Sequence, residues 1–371
     1  MKTTQLVIGQ GEPTKLDHID FSPDLILLFG GKELLLQSDH VQEIRRKFPQ
    51  AIMAGCSTAG EISGVSVSDE SLAVNFLKLE KSSLVYKEVE IDSPDHSAER
   101  GAELARKFDE EGLKHIFVLS DGLNVNGSKL VEGMREAKPK AAALTGGLAG
   151  DGPNFERTLL IDNEGKVRDK LIIALGFYGD INISYASMGG WDSFGIERLV
   201  TKSHNNILFE LDGQPALELY KSFLGEEAAN LPASGLLFPL SMRYSEDRAP
   251  LVRTILGISE EEQSLTFAGD IPEGSYIRLM KANVNRLIDG AEEAAEEATQ
   301  GKNDFAICIS CVGRKLVLRQ LVEEEVEAVQ EHLGDQCKIS GFYSYGEIAP
   351  FREGVECELH NQTMTITSFS E

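Results

Sequence analysis

The sequence predicts an α/β protein of two related domains, with mixed sheets built from repeated strand-helix-strand units. Three observations predict it. The phrase GCSTAGEI at 55–62 returns, with the same spacing of hydroxyl, glycine, glutamate and isoleucine, as GFYSYGEI at 341–348. Each copy follows the same order of short apolar run, glycine turn, helix-period segment and second apolar run. The length, 371 residues, exceeds what one hydrophobic core serves.

In the first copy, DLILLF (24–29) is a buried strand ending in Gly30-Gly31-Lys32. Val41, Ile44 and Phe48 then mark a helix by their spacing, Pro49 stops it, and AIMAG leads into the GCSTAGEI turn. In the last copy FAICISC (305–311) runs into Val312-Gly313-Arg314. A helix with Leu318, Leu321, Val322, Val326, Val329 and Leu333 on one side follows, and CKISG enters GFYSYGEI. A weaker third copy lies between them: HIFVLSDG (115–122), helix-like SKLVEGMREA, then AAALTGG (141–147), which ends in Gly146-Gly147 and continues to Asp151. A fourth is expected from SGLLFPL (234–240) to the alanine-rich helix at 282–298. ESLAVNFLKL (70–79) and RTLLID (157–162) read as added strands that make the sheets mixed. The Asp212-Gly213 turn and Pro215 at a helix start place the division between an N-terminal domain, 1–205, and a C-terminal domain, 206–371.

The bulk properties exclude whole classes of function. A formal charge of −24 repels phosphate backbones, so no nucleic-acid partner is expected. No apolar run approaches the roughly 20 residues of a membrane span, and the N-terminus lacks a signal-peptide core, so no membrane is expected. Five scattered cysteines read as free thiols in a reducing compartment, which points to the cytoplasm.

The chemistry-bearing candidates cluster in the turns. Successive backbone N–H groups in a glycine turn can form an anion nest. Ser57, Thr58 and Ser344 add hydroxyls, Tyr345 a phenol, and Glu61 and Glu347 could hold an ammonium, with Arg314 assisting by charge. That set suits a small polar ligand such as a zwitterionic amino acid. The same hydroxyls and carboxylates could instead satisfy the backbone of their own turns. TGGLAGDG (145–152) fits neither the dinucleotide nor the P-loop pattern, though Asp151 stays a pocket candidate. Cys308 and Cys311 lie three apart on one strand and so on opposite faces, which argues against a shared metal. Cys311, beside Arg314 and Lys315, is expected to have a lowered thiol pKa. Cys56 sits in its turn like a nucleophile but lacks the hydrolase-elbow spacing and an identifiable histidine base. No convincing catalytic constellation emerges, and an enzyme is not expected.

GCSTAGEIS, TGGLAGDG, ELDGQPALELY (210–220), SCVGRK (310–315) and GFYSYGEIAP (341–350) together resemble the FIST sensory family, whose N-terminal and C-terminal domains occur in tandem. The resemblance spans roughly residues 20–360. It implies an intracellular sensor that binds a small ligand, amino acids in particular, and signals through a separate partner such as a histidine kinase. Some family members are haem proteins that sense nitric oxide. Haem is therefore one alternative, with no motif here marking an axial ligand, and a cysteine-dependent enzyme is another.

Overall fold

In this computed structural model, residues 1–245, 249–299, 301–352 and 354–371 are described. Their strands form four sheets, and three of these share one plan.

The first unit opens with β1 (Lys2–Ile8). It continues through β2 (Leu25–Gly30), α1 (Lys32–Gln37), α2 (His40–Lys47) and β3 (Ile52–Ser57). A short hairpin follows, β4 (Glu61–Ser63) and β5 (Ser66–Ser68), and then β6 (Leu72–Lys78). Strands β2 and β3 pair in parallel, while β6 returns antiparallel beside β2 and carries β1 outside it. The second unit repeats this with β7 (Ser82–Glu90), α3 (Ser97–Ala105), β8 (Leu113–Ser120), α4 (Gly127–Ala137) and β9 (Ala143–Leu148). Its hairpin is β10 (Leu160–Ile161) with β11 (Val167–Arg168), and β12 (Leu171–Gly179) closes it. Strand β13 (Asn182–Met188) begins the third unit.

The chain then leaves that unit. Strands β14 (Asp192–His204), β15 (Ile207–Leu211) and β16 (Gln214–Pro215), helix α5 (Ala216–Leu224), and strands β17 (Leu240–Arg243), β18 (Leu251–Arg253), β19 (Ile255–Ser259), β20 (Ser264–Phe267) and β21 (Tyr276–Lys281) form an antiparallel eight-stranded sheet. This sheet has a core of its own, around Leu208, Leu217, Tyr220, Leu265 and Phe267. The third unit resumes with α6 (Val284–Glu297), β22 (Phe305–Cys311), α7 (Val312–Leu318), α8 (Val322–Leu333) and β23 (Lys338–Ser344). Its hairpin is β24 (Gly346–Pro350) with β25 (Cys357–His360), and β26 (Met364–Ser370) completes it.

The hairpins do not stay home. β4 pairs with β23, β24 pairs with β9, and β10 pairs with β3. Each unit therefore extends the sheet of another, in a closed cycle of three. Residues of all three sheets, among them Phe29, Leu119, Ile309, Phe342 and Phe369, share one buried core. Helices cover the outer faces, with Leu130 and Met134 of α4 and Val326 and Val329 of α8 packed against strand residues.

The repeat is legible at single atoms. Leu28 faces Gly55, Val118 faces Gly146 and Cys308 faces Gly341 across the parallel pairs. A Cβ on those glycines would lie 2.2, 2.0 and 1.7 Å from the facing residue's carbonyl oxygen, so the backbones touch where only hydrogen fits. Glu70, Lys170 and Gln362, just before or within the turn that begins each antiparallel return, are all left-handed, with φ of 54°, 54° and 63°.

Two expectations need correction. The segment 234–298 is no fourth unit: β17 joins the eight-stranded sheet, while the alanine-rich helix α6 packs on α8 and β13 of the third unit. The helix expected through Leu318 and Leu333 is broken, because Arg319 adopts φ 53° and a left-handed residue cannot continue a right-handed helix. Leu321 is accordingly 40% exposed. The expected 205/206 division falls in the β14–β15 hairpin, and two of the three exchanged sheets take strands from both sides of it.

Gly341→Ala should lower the unfolding free energy by about 3 kcal/mol or more, because the intruding methyl must spread a β-ladder. Gly257→Ala, with only Thr266 Cβ at 3.8 Å, should change it by less than about 1 kcal/mol. Urea unfolding of the two variants checks both.

Candidate functional site

The two GEI turns meet, as their duplication suggested. Ala59 N–H donates to the Tyr343 carbonyl at 2.8 Å, and Tyr343 N–H donates to the Gly60 carbonyl at 2.8 Å. The cycle repeats: Gly150 N–H donates to Ser57 O at 3.0 Å, and Tyr345 N–H to Leu148 O at 3.3 Å.

Their carboxylates are turned inward. Glu61 accepts from the Thr58 hydroxyl and from Ser71 N–H and Oγ at 3.0 and 2.8 Å. Glu347 accepts from Ser344 Oγ at 2.6 Å and from Thr363 N–H and Oγ1 at 3.2 and 3.0 Å. Each lashes a crossing turn to the start of the antiparallel return. In the second unit, whose turn has Gly152 in the glutamate's place, Asp121 takes over this job. It accepts from Lys170 N–H at 2.8 Å and Thr158 Oγ1 at 2.9 Å. Burial holds the carboxyls of Glu61 and Glu347 up to about 7 and about 8, although their donors oppose the shift.

The other residues singled out from sequence are equally engaged. Ser57 Oγ donates to the Gly150 carbonyl at 2.7 Å and accepts from Leu159 N–H at 2.8 Å. Gly147 pairs with Glu347 across β9 and β24, where Ile309 leaves no room for a side chain. Arg314 is fully buried: it grips Glu325 through Nε at 2.9 Å and Nη2 at 2.5 Å, and donates to the carbonyls of Leu287 and Gly189. It fastens α6 and the strand-to-sheet linker rather than facing a cavity.

The thiol expectation for Cys311 is corrected. It is 2% exposed, and burial followed by the field of Glu347 pushes its pKa up, while Arg314 opposes only weakly because it is spent on Glu325. Burial likewise pushes the Cys56 thiol well up. All five cysteines are buried and free.

Asp151 and Tyr345 belong together. The Tyr345 hydroxyl donates to Asp151, whose carboxylate also accepts from the N–H groups of Phe155, Glu156 and Arg157 and from Lys32 Nζ at 3.2 Å. This knot fixes the loop after β9 and stacks Phe155 on Tyr345, with ring centroids 4.2 Å apart.

That stacked pair forms one wall of a cavity of about 290 Å³. The second unit supplies Gly122, Leu123, Val125 and Asn126 after β8, and Leu148 at the end of β9; Pro94 and Asp95 lie before α3. The opposite contribution comes from the inserted sheet: Asn205 and Asn206 between β14 and β15, Leu256, and Phe267 to Gly269 after β20. Asn126 caps α4 through Lys129 N–H at 3.1 Å and donates to Asp270 at 2.8 Å, so it joins the two bodies. Arg253, buried behind Gly269, donates to the carbonyls of Asp270 at 3.2 Å and Leu359 at 3.0 Å. Of the residues predicted from sequence, Tyr345 alone lines this cavity. None of the described lining residues is a histidine; His115 and His360 are buried elsewhere, with burial lowering their pKa values to about 3 and about 4. Asn126 was within reach of sequence reasoning as the cap before SKLVEG. The loops of the inserted sheet carried no such signal.

Residues 24–214 match the FIST N domain and residues 216–350 the FIST C domain. The chain belongs to the FIST family. FIST domains are associated with sensory and signal-transduction roles. An uncharacterised protein of Methanocaldococcus jannaschii is 23% identical over 363 residues, covering 84% of this FIST chain and 68% of its own. Among solved structures, a chorismatase aligns with 100% of this chain and 98% of its own at TM-score 0.36 and 11% identity. The cyanuric acid hydrolase of A. caulinodans aligns with 99% and 98% at TM-score 0.38 and 8% identity. At these values neither likeness bears on chemistry. Among the described residues no helix is long and apolar enough to cross a membrane.

The raised carboxyls make stability depend on pH. Glu347 folds with a pKa above its ordinary 4.5, so the folded state holds the extra proton between about pH 4.5 and 8. Its contribution is complete below 4.5 and is lost as pH rises through about 8. Glu347→Gln should therefore flatten the fall in melting temperature between pH 5 and 8, a difference readable by calorimetry across that range.

Proposed function

We propose that this FIST protein is a sensor of a small polar ligand, of amino-acid size, which occupies the cavity between the second unit and the inserted sheet. The single observation that carries the reading is the parentage of the cavity's walls. One side belongs to the three-unit body, locked by exchanged strands, and the other to loops of a sheet with its own core. A ligand that bridges them favours one placement of the sheet over others, which is the differential contact a signal requires. A separate partner, such as a histidine kinase, reads that placement. The family's sensory role supports this reading. So do the carboxamides of Asn205 and Asn206 beside apolar side chains such as Leu123, Val125 and Leu256, the mixture that orients small polar ligands. The free buried thiols accord with a reducing, cytoplasmic setting.

This reading differs from one that seats the ligand on Glu61 and Glu347, whose oxygens are consumed within the fold. A thermal-shift screen of amino acids and related polar metabolites tests it. A true ligand at about a hundredfold above Kd should add about 2.7 kcal/mol of stability. Ala268→Phe, which puts a ring into the cavity from its wall, should abolish that gain and leave the unliganded protein folded. Stabilisation that survives Ala268→Phe, or none from any compound, would refute the assignment.

A further inference from the structure

The cavity is one of three notches related by the repeat, and the other two are filled by lysines. In each notch the crossing turn of one unit meets the residues that follow the first parallel strand of the next. The equivalent turn residues are Ala59-Gly60, Gly150-Asp151 and Tyr345-Gly346, fixed by the common N–H bonds of Ala59, Gly150 and Tyr345 to Tyr343, Ser57 and Leu148.

Where the first unit's turn meets the third unit, Lys315 reaches in. Its Nζ donates to the Ala59 carbonyl at 2.9 Å and to Asp69, and lies 5.6 Å from the Tyr343 ring centre. A Cβ on Gly60 would stand 2.4 Å from that nitrogen. Where the second unit's turn meets the first unit, Lys32 Nζ lies 3.2 Å from Asp151, the counterpart of Gly60. Both side chains are largely covered, at 17% and 11% exposure. Lys315 and Lys32 come from positions three residues apart in the repeat, matching Val125 and Gly122 of the second unit, and each carries a largely covered ammonium to a crossing turn.

Where the third unit's turn meets the second unit, the corresponding segment is Asp121-Gly122-Leu123-Asn124-Val125, which has no basic side chain. Gly122 and Val125 line the cavity there, together with Leu148 and Tyr345. None of the described lining residues is a lysine or arginine, whereas Asp95 and the rings of Phe155 and Tyr345 are present. A carboxylate and aromatic faces favour a cation.

We propose that the ligand presents a primary ammonium group to the Tyr345-Gly346 turn, in the place that Lys315 and Lys32 fill in the two equivalent notches. This rests on the cavity being the ligand site. The chemical class is therefore amines, including amino acids, rather than neutral polyols or simple carboxylates. The turn offers the ammonium the Tyr345 carbonyl, counterpart of the Ala59 carbonyl that Lys315 uses.

The test uses three probes of matched shape, n-butylammonium, butan-1-ol and butyrate, followed through the backbone amide resonances of Gly122, Asn126 and Gly269 in the full-length protein. The expected result is that n-butylammonium moves these resonances with an affinity at least roughly tenfold above either other probe. Val125→Lys, which supplies the missing side chain, should abolish the response. If that variant does not fold, the ranking of the probes on the unaltered chain decides. Equal or tighter binding of butan-1-ol or butyrate at the same resonances would overturn the ammonium assignment while leaving the cavity as a ligand site. So would n-butylammonium binding undiminished in a folded Val125→Lys protein. No response to any probe at high millimolar concentration would overturn both readings.

Discussion

The cyclic exchange of hairpins is the constraint on which the rest of this molecule depends. Strand β3 needs β10 from the second unit, β9 needs β24 from the third, and β23 needs β4 from the first. A unit folded alone would leave the edge of its second parallel strand bare, a row of unpaired amides and carbonyls that costs free energy or invites aggregation. Closing the cycle pairs all three edges at once. The exchange is possible because Gly55, Gly146 and Gly341 bring the parallel strands to backbone contact just before the chain crosses over.

Crossing turns buried this deeply must satisfy their own polar atoms, since an unpaired buried amide costs about 1–3 kcal/mol. Glu61, Glu347 and Asp121 do this with carboxylates: Glu61 and Glu347 accept N–H and hydroxyl donors where the antiparallel return begins, and Asp121 accepts Lys170 N–H there and the Thr158 hydroxyl in the crossing loop. The duplicated Gly-Glu-Ile phrase therefore records a structural requirement of strand exchange. A carboxylate serves because one side chain accepts several donors, and its cost is the raised pKa that burial imposes.

Approximate symmetry then makes its exceptions informative. Two of the three notches are plugged by lysines that reach the crossing turn, and the third opens as the cavity. The asymmetry comes from the insertion of β14 to β21 within the third unit, whose loops roof the second unit's strand ends. The same insertion supplies a body with a separate core, joined to the rest through Arg314 on the Gly189 carbonyl and Arg253 on the Leu359 carbonyl.

The sequence by itself determined the α/β class, the strand-helix-strand units and the likeness of residues 55–62 to 341–348, because hydrophobic period and turn chemistry act over neighbours a few residues apart. It also located the weaker copy around AAALTGG, and the turn at Asp212-Gly213 where the strands β14 and β15 give way to α5. Only the tertiary structure decided that the units exchange strands and that the GEI carboxylates face inward. The donors that consume Glu61 and Glu347, Ser71 and Thr363, lie beyond the turns themselves, and nothing local marks them. Likewise Cys311 beside Arg314 reads as an activated thiol until Glu325, from the next helix, is seen to hold the guanidinium. The cavity was illegible for the same reason. Its walls come from residues 94–95, 122–123, 125–126, 148, 155, 205–206, 256, 267–269 and 345, and their meeting is a property of packing between distant segments rather than of any one of them.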